Sequence, residues 1–165
     1  MVTSGLAACL CYLAATGLQL KKILKGNGTD VWVKPLAAVA IILHGFTAYK
    51  GFVNISGYDL GIYPMLSLMS LSISAIVLIS SLRRPVDNLL VFVFPIAIST
   101  IILQIALKGD YTPRQDITGG IFTHIALSII AYSLLTIAAA QALLLSFGDK
   151  MLRHHQLAIL RNLPP

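Results

Sequence analysis

The chain has 165 residues, 57% hydrophobic and 11% charged, with a formal net charge of +6 and no glutamate. A soluble domain carries roughly 25% charged residues, so this composition excludes a water-soluble globule and points to an integral membrane protein. The basic residues sit in short stretches between apolar runs, where they set topology rather than bind nucleic acid.

The first apolar run is Val2 to Leu20. Its lysines, Lys21 and Lys22, follow it, the reverse of a cleaved signal peptide, so it is read as a retained helix. Cys9 and Cys11 lie two positions apart, point in different directions on a helix and read as small apolar side chains. Lys21 to Lys34 is a loop with Gly26, Asn27 and Gly28 as turn residues and Trp32 as an interface anchor. Pro35 to Phe52 is the second run and contains His44. Val53 to Tyr63 reads as a connection. Pro64 to about Leu82 is the third run, in which Ser67, Ser70 and Ser74 form a polar seam read as helix-packing surface.

Arg83 to Asp87 makes a basic turn. The fourth run, Asn88 to Leu107, carries Pro95, where a kink is expected, and Gln104 near its far end. Lys108 to Thr118 is a polar loop. Gly119 to Ser146 then runs 28 residues without a formal charge, more than the ~20 that a helix needs to cross a bilayer. It holds His124. On a helical period His124, Ser128, Ala131, Leu135, Ala138 or Ala139, and Ala142 share a small, partly polar face, expected to turn toward a bundle interior. The remainder, Gly148 to Asn162, reads as a short interfacial helix. The expected architecture is therefore an all-α transmembrane bundle of five spans over residues 1–147, with a basic tail over 148–165.

Five spans leave the two ends on opposite faces. One face receives nine basic residues: Lys21, Lys22, Lys25, Lys34, Arg83, Arg84, Lys150, Arg153 and Arg161. The other receives three: Lys50, Lys108 and Arg114. The positive-inside rule then places the N-terminus outside and the tail in the cytoplasm. In that frame His44 lies roughly 12 Å, and His124 about 7–8 Å, below the outer edge.

An ionisable side chain at membrane depth is a functional-site hypothesis by default. Two imidazoles at a shared depth admit two readings. They could ligate a haem iron axially, with Lys50, Lys108 and Arg114 on the rim for the propionates, or each could hydrogen-bond a neighbouring helix. Two histidines are too few for a closed zinc site, and His154 and His155 in the basic tail read as solvated.

The segment Gly119–Leu145, with its H-I-A-L-S-x-x-A-Y core (His124, Ile125, Ala126, Leu127, Ser128, Ala131, Tyr132), resembles the cytochrome c assembly protein family, the CcsA/CcmC/HemX group of haem-handling membrane proteins. Its YpjD-like inner-membrane branch is the nearest in pattern. His44 in LHGFTA, the Ser67–Leu71 segment and the terminal Leu163-Pro164-Pro165 match that branch in order and spacing. The resemblance implies a multi-pass inner-membrane protein that binds haem and assists cytochrome c maturation together with other maturation proteins, with His44 and His124 as axial ligands. It implies about eight spans, so the chain resembles an N-terminal portion. Trp32 is its single tryptophan, a departure from the tryptophan-rich haem motif of the better-known members.

Other function classes stay open. A small transporter or an accessory subunit would use Pro95, Gln104 and the serine seam; a scaffold would use the histidines for packing alone. All six acids are aspartates in loops, and no nucleophile–base constellation, phosphate-cradling loop or carboxylate pair stands out. The chain is not read as an enzyme.

Overall fold

A computed structural model describes residues 1–25, 31–83, 86–107, 109 and 113–161. In chain order the helices are α1 (Val2–Lys25), α2 (Val33–Phe52), α3 (Ile62–Ser81), α4 (Leu90–Ala106) and α5 (Gly119–Arg161). Between α2 and α3 lie two short strands, β1 (Val53–Asn54) and β2 (Gly57–Tyr58), and a 3-10 turn, Asp87–Leu89, leads into α4. Among the described residues five helices are long and apolar enough to cross a membrane. The five expected spans are thus all present, and the fold is an all-α membrane bundle.

α1 and α3 each pack against both α2 and α4, so these four helices close a ring. Its centre is filled by Ala8, Tyr12, Ala37, Ala40, Leu90, Phe94, Ala97 and Ile101, all fully buried. The alanines are what allow this closeness. In lipid there is no hydrophobic drive between helices, and small side chains gain contact by letting backbones approach. Gly5 does the same at one end of α1: a Cβ there would lie 2.5 Å from Ile105 Cδ1 and 3.2 Å from Ile101 and Thr47.

The serine seam is packing surface, as its spacing suggested. Ser67, Ser70 and Ser74 are at most 2% exposed. Ser70 Oγ lies 2.6 Å from Thr100 Oγ1 on α4 and also donates to the Ser67 carbonyl; Ser74 donates to the Ser70 carbonyl at 2.8 Å. Each hydroxyl therefore satisfies itself inside the bundle, which hydrocarbon demands.

α4 continues through Pro95. At the end of the ring nearest the 3-10 turn, Lys34 Nζ donates to the Ser81 carbonyl at 2.6 Å and lies 3.7 Å from Asp87 Oδ1. A cation there complements the negative end of α3.

At the opposite end, the connection Val53–Tyr63 is more ordered than the sequence suggested. β1 and β2 form a hairpin with Val53 opposite Tyr58 and Asn54 opposite Gly57. Gly57 has φ +127°, and a Cβ there would lie 2.5 Å from the Arg114 carbonyl oxygen. Both the backbone angle and the close approach require glycine. Tyr58 N–H donates to the Arg114 carbonyl at 2.9 Å and Arg114 N–H to the Tyr58 carbonyl at 3.0 Å. The α4–α5 loop is thereby strapped to the hairpin.

α5 stands apart from the ring and packs mainly on α3. It does not end near Ser146 but runs on as one helix through Gly148 to Arg161. Side chains beyond Lys150, those of His154 and His155 among them, lie outside the described residues.

Candidate functional site

His44 is fully buried near the middle of the ring. α2 carries it, α1 brings Tyr12 to one side of the ring and α3 brings Ser67 to the other. The Tyr12 hydroxyl lies 3.3 Å from Nδ1 and Ser67 Oγ 3.0 Å from Nε2. With Nε2 protonated and Nδ1 bare, both contacts are satisfied at once: Tyr12 donates to Nδ1 and Nε2–H donates to Ser67. The tyrosine ring meets the imidazole edge-on, centroids 5.9 Å apart, and leans on Phe94 of α4 with centroids 5.0 Å apart. One polar unit thus joins α1, α2 and α3, and its aromatic partner reaches α4. Tyr12 carried no signal of its own in the sequence beyond being a lone aromatic among small residues.

His124 is placed differently. The expectation that it faces the bundle interior is corrected by the structure: it is exposed, together with Ala131, Leu135, Ala138, Ala139 and Ala142. The packing face of α5 is the neighbouring one, with Ile125, Ile129 and Ile137 partly buried and Ser133 fully so. Ser133 Oγ reaches the Met69 carbonyl of α3 at 3.4 Å and the Ile129 carbonyl at 2.7 Å. The small residues Ala126, Ser128 and Ala140 are partly buried beside these isoleucines.

The two histidines are therefore not brought together. His44 has both nitrogens engaged within the ring, and His124 points away from it. As an axial pair closed within this chain they do not fit a haem. As a single exposed imidazole, His124 has the donor chemistry for one axial ligand.

The expected rim cations divide as follows. Lys50 is exposed, with Nζ 4.7 Å from the Phe46 ring centroid. Arg114 has an exposed side chain above the strap. Lys108 lies outside the described residues. Lys50 and Arg114 are at the same end of the bundle as His124.

Cavities open at this end between the described residues. An apolar groove of about 450 Å³ runs between the end of α2 and the first turns of α5, lined by Tyr49, Phe52, Tyr58, Phe122 and Ile125 among others. His124 lies about 160° around the helix from Phe122 and does not face it. The second, of about 330 Å³, sits over the mouth of the ring, with Lys50, Asp59, Tyr63 and Gln104 in its wall.

Along its whole length the chain is similar to the inner membrane protein YpjD of Escherichia coli strain K12, with 29% identity over 168 aligned positions, and equally to its counterparts in strains CFT073 and O157:H7. It spans 64% of the length of these relatives. No family model matches the chain, and no solved structure matches it.

Proposed function

We propose that this multi-pass membrane protein, similar to a bacterial inner membrane protein, is a haem-handling protein of cytochrome c biogenesis. Haem is its cargo, bound and passed on without a bond being made or broken by the protein. The observation that carries the reading is the exposure of His124. An imidazole at the outer end of a span, on a small-residue face turned away from the other four helices described, has its nitrogens open to a ligand. His124 would hold the iron, and Lys50, Lys108 and Arg114 would meet the carboxylates at the rim. Haem supplies the redox iron of the cytochrome for which it is destined. The resemblance around His124 supports this reading, and so does the end of the bundle at which the cations collect.

His44 takes a conditional part. It becomes a ligand only in a state that releases Tyr12 or Ser67, so its first role is to hold the ring together. That same geometry favours the scaffold as a second reading, and one experiment separates the two. Purified wild type, His44→Ala, His124→Ala, the double variant, and His154→Ala combined with His155→Ala are titrated with haem, reading the absorption spectrum and the haem-to-protein ratio. His124→Ala is expected to lose the wild-type spectrum, and added imidazole to restore it in part. The tail variant is expected to be unchanged. Equal loss in His44→Ala at retained stability would report the released state. A wild-type spectrum and ratio in His124→Ala would leave the scaffold.

A further inference from the structure

The cavity over the mouth of the ring contains a polar group that the fold leaves unanswered. Gln104 is 6% exposed, and among the described residues neither its Oε1 nor its Nε2 has a hydrogen-bond partner. Buried polar side chains are nearly always paired, and each exception calls for an explanation. The position is also one that the neighbouring helix has accommodated: at Gly51 a Cβ would collide with the Gln104 carboxamide. α2 has thus kept its backbone bare where Gln104 needs the space.

The other groups around this cavity carry both signs of charge. Asp59 lies in the wall, with Oδ1 accepting the Gly61 N–H at 2.8 Å. The first turn of α3, through Gly61, Tyr63 and Pro64, forms another part, and that helix begins without a side-chain cap. Its positive end favours an acidic group. Lys50 stands at the edge; its ammonium rests over Phe46, a weak contact at an exposed position, and its flexible stem reaches the mouth. A purely anionic ligand would meet Asp59, and a purely cationic one would meet Lys50 and the helix end. The volume of about 330 Å³ falls at the lower end of the range of small-molecule sites.

We propose that this cavity binds a small zwitterion, an acidic group and an ammonium a few atoms apart, with Gln104 as its recognition side chain. The carboxamide offers one donor and one acceptor and so can serve both ends of such a ligand. The same chemistry occurs in a free amino acid and in a phosphatidylethanolamine headgroup, and the test separates these sources. It does not depend on the haem reading, because no histidine is among the described residues that line the cavity.

The test uses the full chain and reads its melting temperature. The probes are L-alanine added to detergent-solubilised protein, and nanodiscs of phosphatidylglycerol with or without phosphatidylethanolamine. A rise of several degrees with L-alanine would assign a soluble ligand; a rise confined to the phosphatidylethanolamine nanodiscs would assign the headgroup. In either case Gln104→Met, which keeps the shape and removes both polar atoms, is expected to abolish the rise while leaving the ligand-free melting temperature equal or higher. Asp59→Asn, which keeps an oxygen for the Gly61 N–H and removes the charge, is expected to reduce the rise. The proposal is overturned if wild type responds to neither probe, in which case bound water answers Gln104, or if Gln104→Met keeps the full rise.

Discussion

The four-helix ring and α5 are both apolar spans, yet they are built on opposite plans. In the ring polar groups face inward and, Gln104 and Gln19 apart, are spent on one another: Tyr12 and Ser67 on His44, Ser70 on Thr100. On α5 the imidazole of His124 faces outward, and the packing face carries Ile125, Ile129, Ile137 and Ser133, whose hydroxyl reaches the Met69 carbonyl of α3. The difference teaches that a histidine in a membrane helix has two fates. Surrounded, as His44 is, it fastens helices together; exposed, as His124 is, it takes no part in holding the ring.

The contrast can be broken in several ways. Its frame is orientation, and there the effect is all or none. A reporter active only outside the cytoplasm should be active when fused after Pro113 and silent after Arg83; the opposite pattern would turn both regions over together. Packing gives the next largest effect. Ser74→Leu inserts volume where no side-chain surface is free and should cost about 1–3 kcal/mol, seen as a lower melting temperature in detergent. Ala138→Leu on α5 should stay within ~0.5 kcal/mol of wild type, and Ser74→Ala should be tolerated. Equal sensitivity at Ser74 and Ala138 would mean that α5 is as enclosed as the ring.

The histidines sharpen the same comparison. His44→Ala leaves Tyr12 and Ser67 unpaired and opens a cavity, for a loss of roughly 2–4 kcal/mol. His124→Ala should change stability by no more than ~0.5 kcal/mol. A double-mutant cycle between Tyr12→Phe and His44→Ala should give a coupling of about 0.5–3 kcal/mol, whereas the cycle between Tyr12→Phe and His124→Ala should give none. The smallest effect belongs to Lys34→Ala at the end of α3. With Lys34 40% and Asp87 23% exposed, about 0.3–1 kcal/mol is expected.

The sequence made the spans legible because crossing a bilayer imposes a length and a composition that almost nothing else imposes. The buried serines of α3 were legible for a related reason, since hydroxyls in hydrocarbon pack against something. Which way α5 turns was not. In a span every face is apolar, and the periodic contrast that orients a soluble helix fades. His124 with its alanines offered a small stripe, and the isoleucines beside it offered an equally apolar one. The hairpin after α2 was illegible because strands of two residues leave no alternation to read. Tyr12 was missed because its partner is 32 residues away, and no local pattern announces a contact of that range.

The two hydrogen bonds between Tyr58 and Arg114 fix the height of one end of α5 against the ring. A helix of 43 residues is about 65 Å long, and its lateral packing is confined largely to α3. The strap sets its height, and the contacts of Ser133, Ile137 and Leu144 with the ring set its direction. The His124 imidazole therefore sits near the strapped end of the helix, at a height that the hairpin after α2 sets.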